Sequence, residues 1–386
     1  MTTSALLVAT ATQWYGVGRM ARCLAEAGFS VSLLTPHNSP SEKSRFVSKI
    51  GYLPDNATPA DWVYPFAAMV KATPPRLVLP CDDTAVRLMQ NLVLSPPDNL
   101  QQTLWLQLAA LVVESLGAPA HYRACIDKTL ISGAAEALGL RVPPYAIVAD
   151  AGEGQRFAAH HGYPVVLKRS YSSAGQGVAV CIDQNALVRA FAALSRPIPP
   201  TLKDSKDGVL LVQAHVPGRT HYRNSVAWKG VLLAGQASVV LAASPRGPAS
   251  VVRYYRSAEL RAASATLAAG FDITGIYVPE FIVHESTGEP YLVEINRRMT
   301  HGTHRGAAFD VNLGAALYAA VNGLPPTTRA DLDPDEEHIV VHFPLEWTRD
   351  PKSHYLREYP VDIPWDEPEL VKAIVGQVMA NFRNAT

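Results

Sequence analysis

Apolar and polar positions along the chain alternate between two periods. Residues 5–9, 31–34 and 77–79 are short apolar runs of the kind that make buried parallel strands. After the first run, Val17, Met20, Ala21, Leu24 and Ala25 recur at helical spacing, and Gly28 closes that helix. After the third, Asp82 and Asp83 open another apolar helical stretch. Strand and helix alternating through short turns predict an open α/β sheet. Residues 101–116 read as an apolar helix that bridges to the next part of the chain.

Past that helix the pattern changes. Asp127 is placed to cap a helix carrying Leu130, Ile131, Ala134, Ala135 and Leu138, which ends at Gly139 before Pro143 and Pro144. Residues 165–168 and 178–181 are strands, and Asp183 caps a helix with Ala186, Leu187, Ala190, Phe191 and Leu194 on one face. Residues 197–207 and 244–250 read as loops, 210–216 as a strand, and 226–241 as a hairpin turning at Lys229 and Gly230. In residues 277–298, Phe281 and Val283, then Tyr291, Val293 and Ile295, alternate with polar neighbours on either side of turn-forming 284–290. That is a second hairpin. Asp310 is expected to cap a helix over 311–321 that ends at Gly323. A strand over 338–343 and a helix carrying Leu370, Val371, Ile374, Val375, Val378 and Phe382 then cover the sheet or a subunit contact.

With 386 residues, 48% of them apolar, the chain buries a large core and is expected to form two or three domains. Lys plus Arg and Asp plus Glu are 34 each, a balance that argues against a general nucleic-acid or membrane-surface binder. Cys23, Cys81, Cys125 and Cys181 are far apart and fit a reducing cytoplasm rather than a disulfide framework or a zinc site. No basic stretch precedes the first apolar run, so no signal peptide is expected, and no run reaches transmembrane length.

The chemistry concentrates in the second hairpin. With its turn centred near Thr287, Glu280 faces Glu294 directly across the ladder. Two carboxylates so placed repel, and a divalent cation between them reverses the sign. Replacing Glu294 with Gln is therefore expected to relieve repulsion in the metal-free protein. Asn296 lies two residues past Glu294 and points to the same face. Two carboxylates and an amide oxygen are hard donors that suit Mg2+ better than zinc. Arg297 and Arg298 follow, where a metal-held phosphate needs a cation. A solvated hairpin with scattered charges is the plain alternative.

Other segments offer partners for an anion. Lys128 sits in the first turn of its helix, where a cation opposes the dipole; an anionic partner or a surface position both account for it. Lys168 ends a strand, and residues 170–177 follow as a loop of serines and glycines whose N–H groups can wrap phosphate oxygens. No Walker A motif is present, and an ordinary flexible loop is the alternative. Residues 16–21 fit the loose dinucleotide fingerprint but lack a ribose-binding acid near Thr35, so a plain helix start is expected. The strand-end loops 10–15 and 80–83 are placed to touch a substrate. Arg253, Arg256 and Arg261, with Tyr254 and Tyr255, suit either a substrate carboxylate or a solvated helix start. His301 and His304 lie three apart, but Gly302 argues against the helical spacing of a metal pair. Substrate contact, acid–base work or a structural role stays open for His301.

Taken in order, Lys128, Lys168 with its loop, Gln213-Ala214-His215-Val216, Glu280, Glu294, Asn296 and Arg298 resemble the ATP-grasp superfamily. The resemblance is to its carboxylate–amine ligase and carbamoyl-phosphate-synthetase-like branches. It implies a mixed α/β and α+β chain: a Rossmann-like N-terminal domain followed by an ATP-grasp fold of two α+β subdomains. The expected division is 1–115, a small subdomain with the phosphate loop at 116–207, a metal and substrate subdomain at 208–330, and a C-terminal extension at 331–386. The implied cofactors are ATP and one or two Mg2+ ions, with Mn2+ as a substitute. Lys128 and Lys168, with Ser172, Ser173, Gly175 and Gly177, are implied at the ATP phosphates; Gln213, Ala214 and Val216 at adenine; Thr220 and His221 near the ribose. Glu280, Glu294 and Asn296 are implied as metal ligands, and Arg298 as the cation on the transferring phosphoryl group. Lys168 and Arg298, joined by His301, form the candidate catalytic set.

Three positions depart from the family pattern. Gln213 stands where an acid is usual, Thr220 where an acid often meets the ribose, and Ala174-Gly175 where a glycine pair is common. No metal or phosphate residue is lost. The implied activity is ATP-dependent joining of a small carboxylate to an amine through an acyl phosphate, releasing ADP and phosphate, with the loop 170–177 as a lid against water. A kinase acting on a hydroxyl and a nucleotide-binding regulator without turnover are the alternatives; the complete metal set counts against the regulator. The expected setting is cytoplasmic, with a homodimer as one assembly and no nucleic-acid or membrane partner.

Overall fold

The computed structural model describes residues 3–54, 61–95, 97, 100–171, 177–195, 209–244 and 247–385. β1 (Ser4–Val8), β2 (Ser30–Pro36), β3 (Lys49–Leu53) and β4 (Leu77–Pro80) form a parallel sheet in the order β3-β2-β1-β4. Leu6 and Val8 pack on one side with Phe66, Met89 and Val112, while Ala5 and Leu7 pack on the other with Val17 and Leu24. Burial on both faces is why these strands are continuously apolar. The fingerprint-like Gly16 to Ala21 lies inside the helix Gly16–Glu26, as a plain helix start. The helix Gln102–Leu116, expected to bridge onward, instead packs on this sheet. One residue past it, Gly117 pairs with Ile273. A side chain at Gly117 would stand 1.8 Å from the Asp272 carbonyl oxygen, at φ +91, so only glycine fits there.

β5 (Tyr145–Val148), β6 (Val165–Arg169), β7 (Val178–Cys181) and β8 (Leu210–Ala214) form an antiparallel sheet ordered β5-β8-β6-β7. The helices Ala151–His161 and Gln184–Leu194 bury Ala158, Leu187 and Phe191 against Val165, Leu167 and Val212. Asp183 caps the second helix through the Ala186 N–H, as its position predicts. The loop read at 197–207 lies outside the described residues.

The third sheet is antiparallel: β9 (Gly218–Trp228), β10 (Val231–Ala243), β11 (Ala249–Tyr255), β12 (Gly275–His284), β13 (Pro290–Asn296) and β14 (His338–Val341), in the order β13-β12-β9-β10-β11-β14. β8 completes the second sheet and β14 the third, so strands just past residues 207 and 330 finish sheets begun before them. Helix Leu313–Asn322 starts later than its pattern predicts. Asn312 caps it through the Ala315 N–H, while Asp310 ends the preceding 3-10 turn in the left-handed region at φ 57. The final helix, Pro368–Ala385, buries Leu370, Ile374 and Val378 with Tyr15. All four cysteines are free and buried. Among the described residues no helix is long and apolar enough to cross a membrane.

Candidate active site

A cavity of about 490 Å³ lies between one face of the third sheet and the second sheet. The β12–β13 register sets Glu280 opposite Glu294 and Asn296 opposite Val278, and all three polar residues line the cavity. Lys128 starts the helix Lys128–Ala137, which Asp127 caps through the Thr129 N–H. The lysine is only 5% exposed, so the surface reading is excluded; its Nζ donates to Glu294 Oε2 at 2.6 Å. Lys168, on β6, is 7% exposed. Burial pulls its ammonium down to about 8; Glu294 and Glu280 oppose that shift and Lys128 adds to it. The Glu280 carboxyl is pushed up to about 7, first by burial and then by Glu294, against the pull of Lys168, Lys128 and Arg298.

Arg298 reaches the same space from the end of β13. Its Nε and Nη2 donate to both oxygens of Asp83 at 2.9 and 2.8 Å, its Nη1 donates to the Met299 carbonyl at 3.3 Å, and its guanidinium lies 4.7 Å over the Trp14 ring. Asp82, next to Asp83, accepts from the Thr10 and Ala11 N–H groups and the Thr10 hydroxyl. It thereby ties down the loop that carries Trp14. Arg297 turns the other way and donates to the Leu116 carbonyl and to Cys125 Sγ, so it serves the fold and not the cavity.

At the other end, Gln213, Ala214, Val216 and Thr220 line the cavity. The Gln213 amide is buried and donates to Ser132 Oγ at 3.1 Å, and the Ala214 N–H is taken by the Pro144 carbonyl. Ser172, Ser173 and Gly175 lie outside the described residues; Gly177 is buried and its carbonyl accepts the Arg169 N–H at 2.8 Å. His221 does not reach the cavity. Strand alternation puts Thr220 and Tyr222 on the cavity face and turns His221 to the other, where Nδ1 meets the Tyr255 hydroxyl at 2.6 Å. Burial, then Arg253 and Arg219, pulls its imidazole down to about 4.

His301 does line the cavity, 4.2 Å from Trp14 between ring centroids. Burial, then His342, Arg298 and His304, pulls it down to about 3, so it is a neutral imidazole and a poor proton carrier at neutral pH. His304 points away to Asp362 at 2.8 Å, so the two histidines do not converge. Arg253, Arg256 and Arg261 do not line the cavity either; Arg253 reaches Glu337 at 3.4 Å. Trp14 and Asp83 lie in the strand-end loops 10–15 and 80–83 that were expected to touch a substrate, whereas Asn224, Thr300 and His342 are among the lining residues that sequence reading did not single out.

The family described as carbamoyl-phosphate synthase L chain, ATP binding domain, matches residues 127–206. The carbamoyl phosphate synthase large chain of Thermus thermophilus is 27% identical over 250 residues, 60% of this chain and 24% of that one. The chain thus spans about a quarter of the curated relative's length. The biotin carboxylase domain of 2-oxoglutarate carboxylase from Hydrogenobacter thermophilus, solved with MgADP, superposes with a TM-score of 0.66 at 16% identity, over 88% of this chain and 74% of that one. N5-carboxyaminoimidazole synthase from Aspergillus clavatus, solved with ADP and 5-aminoimidazole ribonucleotide, gives 0.62 at 15% identity, over 88% and 81%. The chain has the ATP-grasp fold. The family match runs through both cavity lysines, Lys128 and Lys168.

Among the described residues no group of three His, Cys, Asp or Glu side chains is arranged to hold a metal. Glu280, Glu294 and the Asn296 amide nonetheless place three hard oxygen donors on one hairpin face. Burial, and then Glu294, raises the Glu280 carboxyl despite the nearby lysines, so a further cation at this face would favour its charged form. That donor set fits Mg2+, which keeps several waters and is completed by substrate phosphates.

Proposed function

We propose that the chain is an ATP-dependent ligase that joins a carboxylate to an amine and releases ADP and phosphate. One observation carries the reading: Lys128, Lys168, Glu280, Glu294, Asn296 and Arg298, from four separate segments, line one cavity. Gln213, Ala214, Val216 and Thr220 hold the base and sugar of ATP, and the two lysines hold its phosphates. Glu280, Glu294 and Asn296 would hold Mg2+, whose charge would offset that of the phosphate oxygens. A carboxylate oxygen of the first substrate attacks the γ-phosphorus, and ADP leaves. Arg298, fixed by Asp83, offers N–H groups to the oxyanion formed along that path. The amine nitrogen then attacks the acyl carbon, phosphate leaves with the bonding pair, and the amine's proton passes to solvent. Phosphoryl transfer asks for this positioning and charge balance more than for covalent help.

The same reading takes a Rossmann-like unit followed by two ATP-grasp subdomains, the first including β8 and the second including β14, so that residues 331–386 join the second instead of forming a separate extension. It places the enzyme in the cytoplasm, with a homodimer as its assembly. The test is an ADP-release screen of carboxylates with and without amines. Amine-dependent release supports the ligase; release with a hydroxyl acceptor alone assigns the kinase reaction instead.

A further inference from the structure

One row of polar side chains crosses four strands on the cavity face of the third sheet. Glu294 on β13 lies opposite Glu280 on β12, Glu280 opposite Tyr222 on β9, and Tyr222 opposite Ser238 on β10; all four line the cavity. Directly opposed side chains start about 4.5–5.5 Å apart, so Tyr222 borders the glutamate pair and Ser238 stands one strand further off. Asn296 and Arg298 follow Glu294 at alternate positions and line the same cavity.

Tyr222 is half-buried, and among the described residues its hydroxyl has no hydrogen-bond partner. A phenol carries its proton at neutral pH and can donate it to an acceptor. Burial, then Glu280 and Glu294, raises this phenol well above its usual value, and Arg298 opposes them. The hydroxyl thus lies within the field of both glutamates and of Arg298. It stands beside two carboxylates and is bonded to neither, which leaves it for an acceptor that arrives with the ligand. A phosphoryl oxygen held over the glutamates by a metal is such an acceptor, and a hydrogen bond to an anionic oxygen is among the stronger ones. Arg298 marks the end of the cavity where the transferring group lies, so the γ-phosphoryl oxygens are the ones the phenol meets.

We propose that Tyr222 is a further residue of the phosphoryl-transfer site, its hydroxyl donating to an oxygen of the γ-phosphoryl group of ATP. This rests on the ATP and metal reading of the cavity. The test is calorimetry on the full chain with MgADP and with the magnesium complex of the β,γ-imido analogue of ATP, on wild type, Tyr222→Phe and Ser238→Ala. Tyr222→Phe removes one oxygen that has no partner in the empty protein and keeps the ring, so the fold should persist, as a melting curve will show. It is expected to bind MgADP within twofold of wild type and the analogue at least tenfold more weakly. Ser238→Ala, which removes a hydroxyl one strand further away, is expected to bind both as wild type does. Equal analogue affinity in wild type and Tyr222→Phe, an equal loss for the two nucleotides, or the same analogue loss in Ser238→Ala overturns the inference, and wild-type binding of MgADP then leaves the ATP reading standing. A wild type that binds neither nucleotide overturns both.

Discussion

Arg298 is held on three sides. Asp83 takes Nε and Nη2, Met299 takes Nη1, and Trp14 covers the face of the guanidinium. One N–H on each terminal nitrogen is left, a fork suited to a planar oxyanion. Asp83→Asn keeps the shape and removes the charge, so Arg298 loses its fixed direction but stays in the cavity. Turnover is expected to fall about 10- to 100-fold with little change in KM for ATP, because orientation matters most as charge develops. Equal changes in kcat and KM would assign Asp83 to nucleotide binding instead. The paired glutamates are not equivalent, a point the symmetric hairpin pattern hid. Glu294 is bonded to Lys128, while Glu280 carries the raised carboxyl. Glu280→Gln, rather than Glu294→Gln, is therefore the substitution expected to raise the melting temperature without Mg2+; Glu294→Gln strips a buried lysine of a partner and lowers it. Both abolish turnover on the ligase reading. The pH dependence has a definite sign. Glu280 binds its proton more tightly folded than unfolded, so its contribution is complete below 4.5 and is lost as pH rises through about 7. Metal-free protein should lose stability over that window, Glu280→Gln should lose less, and Mg2+ should offset the loss; melting curves from pH 4.5 to 8 check all three.

At the scale of elements, legibility followed burial. The β12–β13 register was readable because alternating apolar residues define one face and the turn centres the pairing. The parallel strands were readable because burial on both faces makes them continuously apolar. The first half of β9, Gly218 to Ser225, was not readable as a strand. It lies in the middle of a six-stranded sheet, yet one of its faces lines a polar cavity, so the expected alternation is replaced by Thr220, Tyr222 and Asn224. The partnership of Asp83 with Arg298 was hidden for another reason: 215 residues separate them, and Asp83 reads locally as an ordinary helix start. β6 shows what an element contributes to the site. It brings Lys168 into the interior, where burial weakens the proton's hold to about 8. A bound anion restores that hold. Affinity for MgATP is thus expected to fall as pH rises above 8 in the wild type and to be flatter in Lys168→Arg, whose guanidinium stays charged. Lys168→Ala should raise KM for ATP and lower kcat together, since its charge meets both ground-state and transferring phosphates. Titrating ATP at pH 7 and 9 on the three proteins separates these outcomes.

Across the whole molecule, one buried carboxylate joins the two ends of the chain to its middle. Asp362 is paired with Arg19 from the first helix at 2.8 Å, with His304 at 2.8 Å and with Arg305 at 3.2 Å, the last two just past the β12–β13 hairpin. The 19-to-362 pairing could not be read from the chain, because Arg19 looks like part of a glycine-rich helix start and Asp362 lies in a segment with no strong period. Burial alone would raise the Asp362 carboxyl, but His304 and Arg19 outweigh it and hold the group well below its usual value. The sign is therefore opposite to that of Glu280. Its contribution is present above 3.8 and is lost as pH falls below that value. Asp362→Asn leaves Arg19 and Arg305 facing a neutral group in a dry setting, a change that costs roughly 3–5 kcal/mol when one partner of a buried pair is removed. Residues 331–386 also supply β14 and Asp331, whose carboxylate holds the wholly buried Arg223 at 2.8 Å. Ending the chain at residue 330 removes both buried carboxylates and the edge strand together, so the shortened protein should fail to unfold cooperatively. Asp362→Asn should still fold, with a lower denaturant midpoint and MgATP binding intact at low temperature. A truncated chain that melts cooperatively near the wild-type temperature would show that this region is an appendage rather than part of the core that positions the site.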